Sequence, residues 1–325
     1  MKAILCRELG TPDLLVLEDV PSPPLLDGQV RIKVHACGVN FPDVLMVAGK
    51  YQMRPPLPFS PGAEFSGEIV AVGANCGSLR TGQRVLAVSG FGGMAEEACV
   101  AARSVAPISA ETDYETAAGF LLAFGTAYHG LKQRGSLKAG ETLLVIGAAG
   151  GVGLAAVQIG KMMGARVIAA AATAGKLRLA RQYGADDLVD YGQDSLKDTV
   201  RDLTAGRGAD VVFDPVGGDL FDDCLRAIAW GGRILVVGFA AGSVQSIPAN
   251  LPLLKGSSVV GVFWGRFTER EPETHRRNTA ALMAALGDGR LKPHIGCTLP
   301  LEKAPEALQM LAERRAMGKI IVRVC

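Results

Sequence analysis

The chain has 325 residues, 49% of them apolar and 20% charged, with 41 glycines and 17 prolines. At roughly 150 residues per domain that length suits two domains with buried cores, and the composition excludes a disordered chain. Lys and Arg number 34 against 32 Asp and Glu, a net charge of +2, so no basic field for nucleic acid or an anionic membrane is expected.

Met1 to Glu8 lacks the apolar core and small-residue cleavage site of a secretory leader. Nine of the 17 prolines lie before residue 62, and this region reads as short strands with turn-rich joints. Val30 to Val34 alternates apolar and polar side chains, and the run Gly67 to Gly73 is bounded by glycines, an antiparallel, barrel-like pattern.

Between residues 125 and 247 the only proline is Pro215, and apolar runs alternate with helical stretches. Leu143 to Ile146 precedes a helix from about Val152, and Arg166 to Ala169 precedes one from about Gly175. Asp210 to Phe213 leads to a helix from about Gly218, and Arg233 to Val237 follows. Continuous Val, Ile and Leu runs separated by helices predict a parallel sheet buried on both faces. The 19 uncharged residues from Thr142 to Gly160 contain five glycines, four of them between Gly147 and Gly153. They read as strand, turn and helix rather than a membrane span.

After residue 250 the pattern is mixed, with an amphipathic helix around 273–287 and a closing strand from Lys319 to Val324. Seven cysteines are scattered without any C-x-x-C pair, which argues for a reducing compartment, by default the cytoplasm.

The most informative segment runs from Leu143 into Ala148, Ala149, Gly150, Gly151, Val152 and Gly153. Glycine lets the backbone approach a pyrophosphate, whose charge is met by unpaired N–H groups at the helix start. The fingerprint register is Ala148-x-Gly150-x-x-Gly153, with Ala in place of the first glycine; the alternative is a tight turn without ligand. An NAD site places Asp or Glu about 20 residues beyond the glycines, yet no acidic residue occurs from Leu154 through Ala185. Ala172, Thr173 and Ala174 stand there instead and leave room for a 2′-phosphate. Lys176 is placed to neutralise it and Tyr191 to add a hydroxyl, so NADPH is the expected cofactor. An ordinary solvated lysine is the other reading of Lys176.

Six motifs carry a resemblance: Gly38-Val39-Asn40-Phe41-Pro42-Asp43, Gly49-Lys50-Tyr51, the run Pro58 to Glu64, the Ala148 to Gly153 turn, Asp214-Pro215-Val216-Gly217-Gly218, and Gly261-Val262-Phe263-Trp264-Gly265. Through them the whole chain resembles the medium-chain dehydrogenase/reductase superfamily, in particular its zinc-independent quinone oxidoreductase, or zeta-crystallin-like, branch. The resemblance implies an α/β fold in which a GroES-like β-barrel catalytic domain, residues 1–124 and 263–325, is interrupted by a Rossmann NADPH-binding domain, residues 125–262.

The zinc-dependent relatives use a Cys shortly after the Cys-Gly pair and a His in Gly-His-Glu; here those places hold Asn40 and Ala63. Cys37 and Glu64 alone cannot complete three protein ligands, and the closely spaced cysteines of a structural zinc lobe are missing. No metal is expected. Without a Lewis acid the chemistry suits acceptors that take hydride at an electron-poor carbon. By resemblance, Asn40, Asp43 and Tyr51 line the catalytic pocket, Asn40 bonding an acceptor carbonyl or ribose and Tyr51 donating a proton. The plainer readings are that Asn40 and Asp43 cap a helix near Val44 and that Tyr51 is a rim aromatic.

Resemblance also places Thr126, Val216, Phe239, Phe263 and Trp264 along the nicotinamide half, with packing the alternative for the apolar ones, and Lys319 against cofactor phosphate or ribose. Arg266, Arg270, Arg276 and Arg277 form either a receptor for an acidic substrate or a solvated helix face. The expected function is NADPH-dependent, zinc-independent hydride transfer to quinones or related α,β-unsaturated carbonyls. The alternatives are an enone or 2-enoyl thioester reductase and, in another class, a non-enzymatic NADPH-binding structural protein. The expected partners are a small-molecule acceptor and a second copy in a homodimer through the sheet edge around 231–262, with no nucleic acid and no membrane.

Overall fold

Strands built from unbroken Val, Ile, Leu and Ala runs have no face to give to water, so they must be covered on both sides. The structure, a computed structural model, describes residues 1–325 and shows one parallel sheet of six strands, the central ones of this kind. Their order is Asp187–Asp190, Arg166–Ala171, Thr142–Ile146, Ala209–Asp214, Ile228–Val236 and Ser258–Gly261. Leu144 is flanked by Ile168 on one side and Val212 on the other, and Leu143 to Ile146 are fully buried. This is the doubly wound 3-2-1-4-5-6 order. It reverses between Thr142–Ile146 and Ala209–Asp214, whose carboxyl ends therefore open the crevice where such sheets receive ligands. The expected helices are Gly151–Met162, Ala174–Gln182 and Leu220–Ala227.

The second sheet gathers the proline-rich strands in the order Ile295–Pro300, Lys319–Arg323, Gln29–Val39, Glu64–Val72, Arg84–Val88 and Val105–Pro107. Glu97–Ala101 pairs with the first half of Gln29–Val39. All its pairings are antiparallel except that of Ile295–Pro300 with Lys319–Arg323. The barrel expected from the sequence is not closed: no pairing joins Val105–Pro107 to Ile295–Pro300. Both end strands finish in proline, which has no N–H to extend a ladder. A separate pair, Lys2–Leu5 with Val16–Asp19, completes the strands of this part.

The chain divides into two compact units, Met1–Leu122 with Met283–Cys325, and Ala123–Leu282. The second division lies at 282, some twenty residues beyond the 262 read from sequence. Residues 264–278 belong with the parallel-sheet unit because their side chains are committed there. The Trp264 ring lies on Gly125, His129 stacks on Phe267 at 3.9 Å, and Gln133 bonds Asn278 at 3.3 Å.

Candidate functional site

In the parallel-sheet unit the glycine turn follows Thr142–Ile146. Gly147 has φ +61°, and a Cβ there would stand 2.8 Å from Val216. The turn glycine is thus present, one residue before the register read from sequence, and Ala148 is buried beside it. A Cβ on Gly153 would drive into the Gly147 carbonyl, so this glycine permits the close approach of helix to strand. Gly150 caps Gly151–Met162 in extended conformation. The N–H groups of Gly151, Val152 and Gly153 open the helix and have no intrahelical acceptor. Ala149 is buried at the turn. Such a turn holds an anion on backbone dipoles alone.

At the end of the second strand, Ala171 accepts the Tyr191 N–H at 3.2 Å, and Gly192 packs so closely that a Cβ would stand 2.7 Å from the Ala172 carbonyl oxygen. Tyr191 therefore lies beside the exposed run 172–174. Thr173 caps Ala174–Gln182, its Oγ1 accepting the Lys176 N–H at 3.4 Å; Lys176 is half-buried in that first turn. Asp190 pairs with Ala171 across the strands and turns its Oδ1 onto the Gly192 N–H at 3.0 Å.

At the switch point, Asp214 Oδ1 accepts the N–H groups of Val216 and Gly217 at 2.8 and 2.9 Å, which places Val216 against Gly147. Sequence reasoning treated three aromatic residues alike, and the structure separates them. Phe239 and Phe263 are exposed, Phe263 by 53%, whereas Trp264 is only 7% exposed. Trp264 is packed on Gly125, with His275 edge-on at 5.5 Å. Thr126 is half-buried on the Leu121–His129 helix. Of the arginines, Arg266 pairs with Glu269 and Arg277 reaches Thr274 at 3.0 Å; all four are exposed among Glu269, Glu271 and Glu273, a solvated face.

The other unit holds a buried polar cluster. Asn40 is the N-cap of the Phe41–Val47 helix, and its N–H reaches Asp43 Oδ2 at 2.8 Å. Asp43 Oδ1 accepts the N–H groups of Gly62 and Ala63 at 3.2 and 2.9 Å. Burial pushes the Asp43 carboxyl up to about 6 against the pull of those three N–H bonds. It is thus still mostly an anion at neutral pH, the form that accepting three N–H bonds favours. Tyr51 is half-buried, and burial, with the Asp43 charge, pushes its phenol above the ordinary value. Asn40 Nδ2 donates to the Gly38 carbonyl at 3.0 Å and lies 3.4 Å from Glu64 Oε2. Glu64 Oε1 takes the Leu122 N–H at 2.7 Å.

Lys319, expected by resemblance against cofactor phosphate or ribose, lies in this cluster. Its Nζ meets Asn40 Oδ1 at 2.6 Å and both the Val39 carbonyl and Glu64 Oε2 at 3.3 Å. Sequence reasoning missed the pairing, although each of the two charges stands at the start of a strand directly before a large apolar residue, Glu64 before Phe65 and Lys319 before Ile320. Such a charge needs a buried partner.

The donor set does not fit a catalytic zinc. Asn40 and Ala63 stand at the ligand places, and no group of three or more His, Cys, Asp or Glu side chains is arranged to hold a metal. The Cys37 thiol is pushed well above its ordinary value by burial and by Asp43 and Glu64, and the Lys319 cation already answers the Glu64 charge.

Two family profiles match: the alcohol dehydrogenase GroES-like domain over residues 26–110 and the zinc-binding dehydrogenase domain over residues 151–280. The chain is 43% identical to a quinone oxidoreductase-like protein 2 homolog of Nematostella vectensis, across 99% of this chain and 88% of that protein. It is 35% identical to the quinone oxidoreductase of Homo sapiens, across 99% of this chain and 97% of that one. The solved structure of mycobacterial Rv1454c complexed with NADPH superposes with a TM-score of 0.94 at 33% identity, over the whole of both chains. By fold, motif and relatives, the chain belongs to the quinone oxidoreductase-like branch of the medium-chain dehydrogenase/reductase superfamily.

Proposed function

We propose that this oxidoreductase is NADPH-dependent and zinc-independent, and that it reduces quinones or related α,β-unsaturated carbonyl acceptors. The observation that carries the reading is the donor set of the buried cluster: Asn40 and Ala63 stand where the metal-dependent relatives have ligands, and an internal cation, Lys319, meets Asn40 and Glu64. Such a site suits an acceptor already electron-poor at carbon, because it offers hydrogen bonds to a carbonyl oxygen and no Lewis acid for an alkoxide.

The cofactor's residues lie in the parallel-sheet unit. Gly151, Val152 and Gly153 offer N–H groups to the pyrophosphate, Gly150 lets it approach, and Ala149 keeps the turn small. Thr173, Lys176 and Tyr191 receive the 2′-phosphate, and the chain carries no acidic residue from Leu154 through Ala185 to bind a ribose hydroxyl in its place. Thr126, Val216, Phe239 and Phe263 serve the nicotinamide half. When bound, NADPH supplies the hydride. Asn40 holds the acceptor oxygen, Tyr51 keeps its proton at neutral pH and can yield it there, and Asp43 braces the helix that presents Asn40.

The test measures NADPH oxidation side by side with a naphthoquinone, a simple enone and an enoyl-CoA, with elemental analysis of the same sample. Turnover with the quinone and no stoichiometric zinc is expected; enoyl-CoA as best substrate would move the assignment to a double-bond reductase, and background rates with all three would refute it. The seven free cysteines suit a reducing compartment such as the cytoplasm. We also propose a homodimer through the edge strand Ser258–Gly261, near which Trp230, 79% exposed, and Leu253 leave apolar surface uncovered. Light scattering at the monomer mass would refute it.

A further inference from the structure

Lys319 and Glu64 form the most deeply sequestered ion pair of the protein, with side chains 4% and 0% exposed; every other pair has a side chain more than a fifth exposed. Removing two charges from water is expensive, and apolar residues of the same size often stabilise a core as well or better. A pair kept at that cost calls for another reason. The geometry supplies one, since all three Nζ hydrogens have acceptors and the shortest bond, 2.6 Å, goes to Asn40 Oδ1.

That bond decides which way the Asn40 amide faces. An ammonium has only donors, so the oxygen must point to Lys319 and Nδ2 to the opposite side, where it meets Gly38 at 3.0 Å. The second Nδ2 hydrogen has only Glu64 Oε2, at 3.4 Å, which is long for an N–H···O bond. It is therefore the more weakly held of the two, and the one a ligand carbonyl can take over from Glu64. A cation on the carbonyl end also polarises the amide and strengthens its N–H groups as donors.

We propose that Lys319, charge-balanced by Glu64, is a positioning residue for acceptor reduction. It fixes and polarises the Asn40 amide so that an Nδ2 hydrogen meets the acceptor oxygen as negative charge develops there. The pair takes no part in proton or hydride transfer. The inference rests on the reductase reading given above and adds to it the origin of the site's electrostatic pull.

The chain has four asparagines, Asn40, Asn75, Asn250 and Asn278, so selective 15N-asparagine labelling resolves the Asn40 side chain. The neutral pair Glu64→Gln/Lys319→Met removes both charges at similar volume. The Asn40 side-chain resonances should shift while the other three stay in place. The kcat with a quinone should fall roughly tenfold or more, with the KM for NADPH within about twofold. Lys319→Arg, which keeps the cation, should retain most of the turnover and, should the neutral pair fail to fold, is compared with Lys319→Gln by the same two readouts. Unmoved Asn40 resonances, unchanged kcat in the neutral variant, or equal losses in the cationic and neutral variants would each overturn the proposal. If the wild-type protein is inert with every acceptor, the reductase reading fails, and the Asn40 resonances alone then decide whether Lys319 orients the amide.

Discussion

The Asp43 carboxylate is bonded to the backbone of Ala63, whose N–H reaches Oδ1 at 2.9 Å, and it has no exposure to solvent. This bond and its neighbour from Gly62 tie the start of the Phe41–Val47 helix to the turn that leads into Glu64–Val72. Asp43 therefore holds Asn40 and Glu64 in a fixed relation while touching the outside nowhere.

Burying that charge should leave a mark on stability. Asp43 titrates near 6 in the folded protein, against 3.8 for an ordinary aspartate. Between those values the native state holds more protons than the unfolded one, so stability falls as pH rises from about 4 to about 6. A shift of that size corresponds to about 3 kcal/mol. Asp43→Asn abolishes the titration, at a constant cost of roughly 1–3 kcal/mol for the N–H of Asn40 left facing another donor. The unfolding free energy of wild type minus variant, from urea titrations between pH 4 and 7, should decline and then level off above pH 6. A difference independent of pH would show that Asp43 is not the buried acid described.

Charge reversal at the first turn of Ala174–Gln182 discriminates the cofactors. Lys176→Glu should raise the KM for NADPH by about tenfold or more, since a carboxylate then faces the 2′-phosphate, and should change that for NADH far less. Steady-state kinetics with both nucleotides measure it. Equal effects on the two would remove the 2′-phosphate from this end of the sheet.

Two glycines of one turn should fail in different ways. A Cβ at Gly153 collides with the Gly147 carbonyl, whereas at Gly150 it meets only that same oxygen at an ordinary 3.5 Å, in a backbone conformation open to any residue. Gly153→Ala should cost roughly 1–3 kcal/mol of stability, as overpacking does. Gly150→Ala should melt like wild type yet bind NADPH more weakly, because its methyl group stands where the pyrophosphate must approach. Thermal melts and fluorescence titration separate the two; a normal melting temperature for Gly153→Ala would contradict the packing described.

Much of this was legible in the sequence for reasons that are local. Unbroken runs such as Leu143 to Ile146 announce a strand buried on both faces, and a glycine turn followed by Val152 to Ile159 announces the helix. The closure of the second sheet was not legible, because it depends on which edges pair over long separations, and no pairing joins Val105–Pro107 to Ile295–Pro300. The pairing of Lys319 was not legible for a similar reason. Nothing near position 319 says that it lies beside Asn40 and Glu64, 279 and 255 residues away; only the Ile320–Val39 register brings them together. Trp264 shows the same limit, since Gly125, the residue it covers, carries no side chain to announce the contact.

Tyr51 is the remaining hydroxyl with a chemical assignment. Burial and the Asp43 charge both hold its phenol above the ordinary value, so it stays protonated through the neutral and mildly alkaline range and offers a proton rather than a base. If it protonates the reduced acceptor, Tyr51→Phe should lower kcat by about 100-fold, a typical loss for a general acid, and leave the KM for NADPH unchanged. The variant should fold normally, because only a hydroxyl of a half-buried ring is lost. The wild-type rate should also stay level from pH 6 to 9, the phenol not yet titrating. A wild-type turnover in Tyr51→Phe would make the ring a rim aromatic and send the proton's origin to solvent.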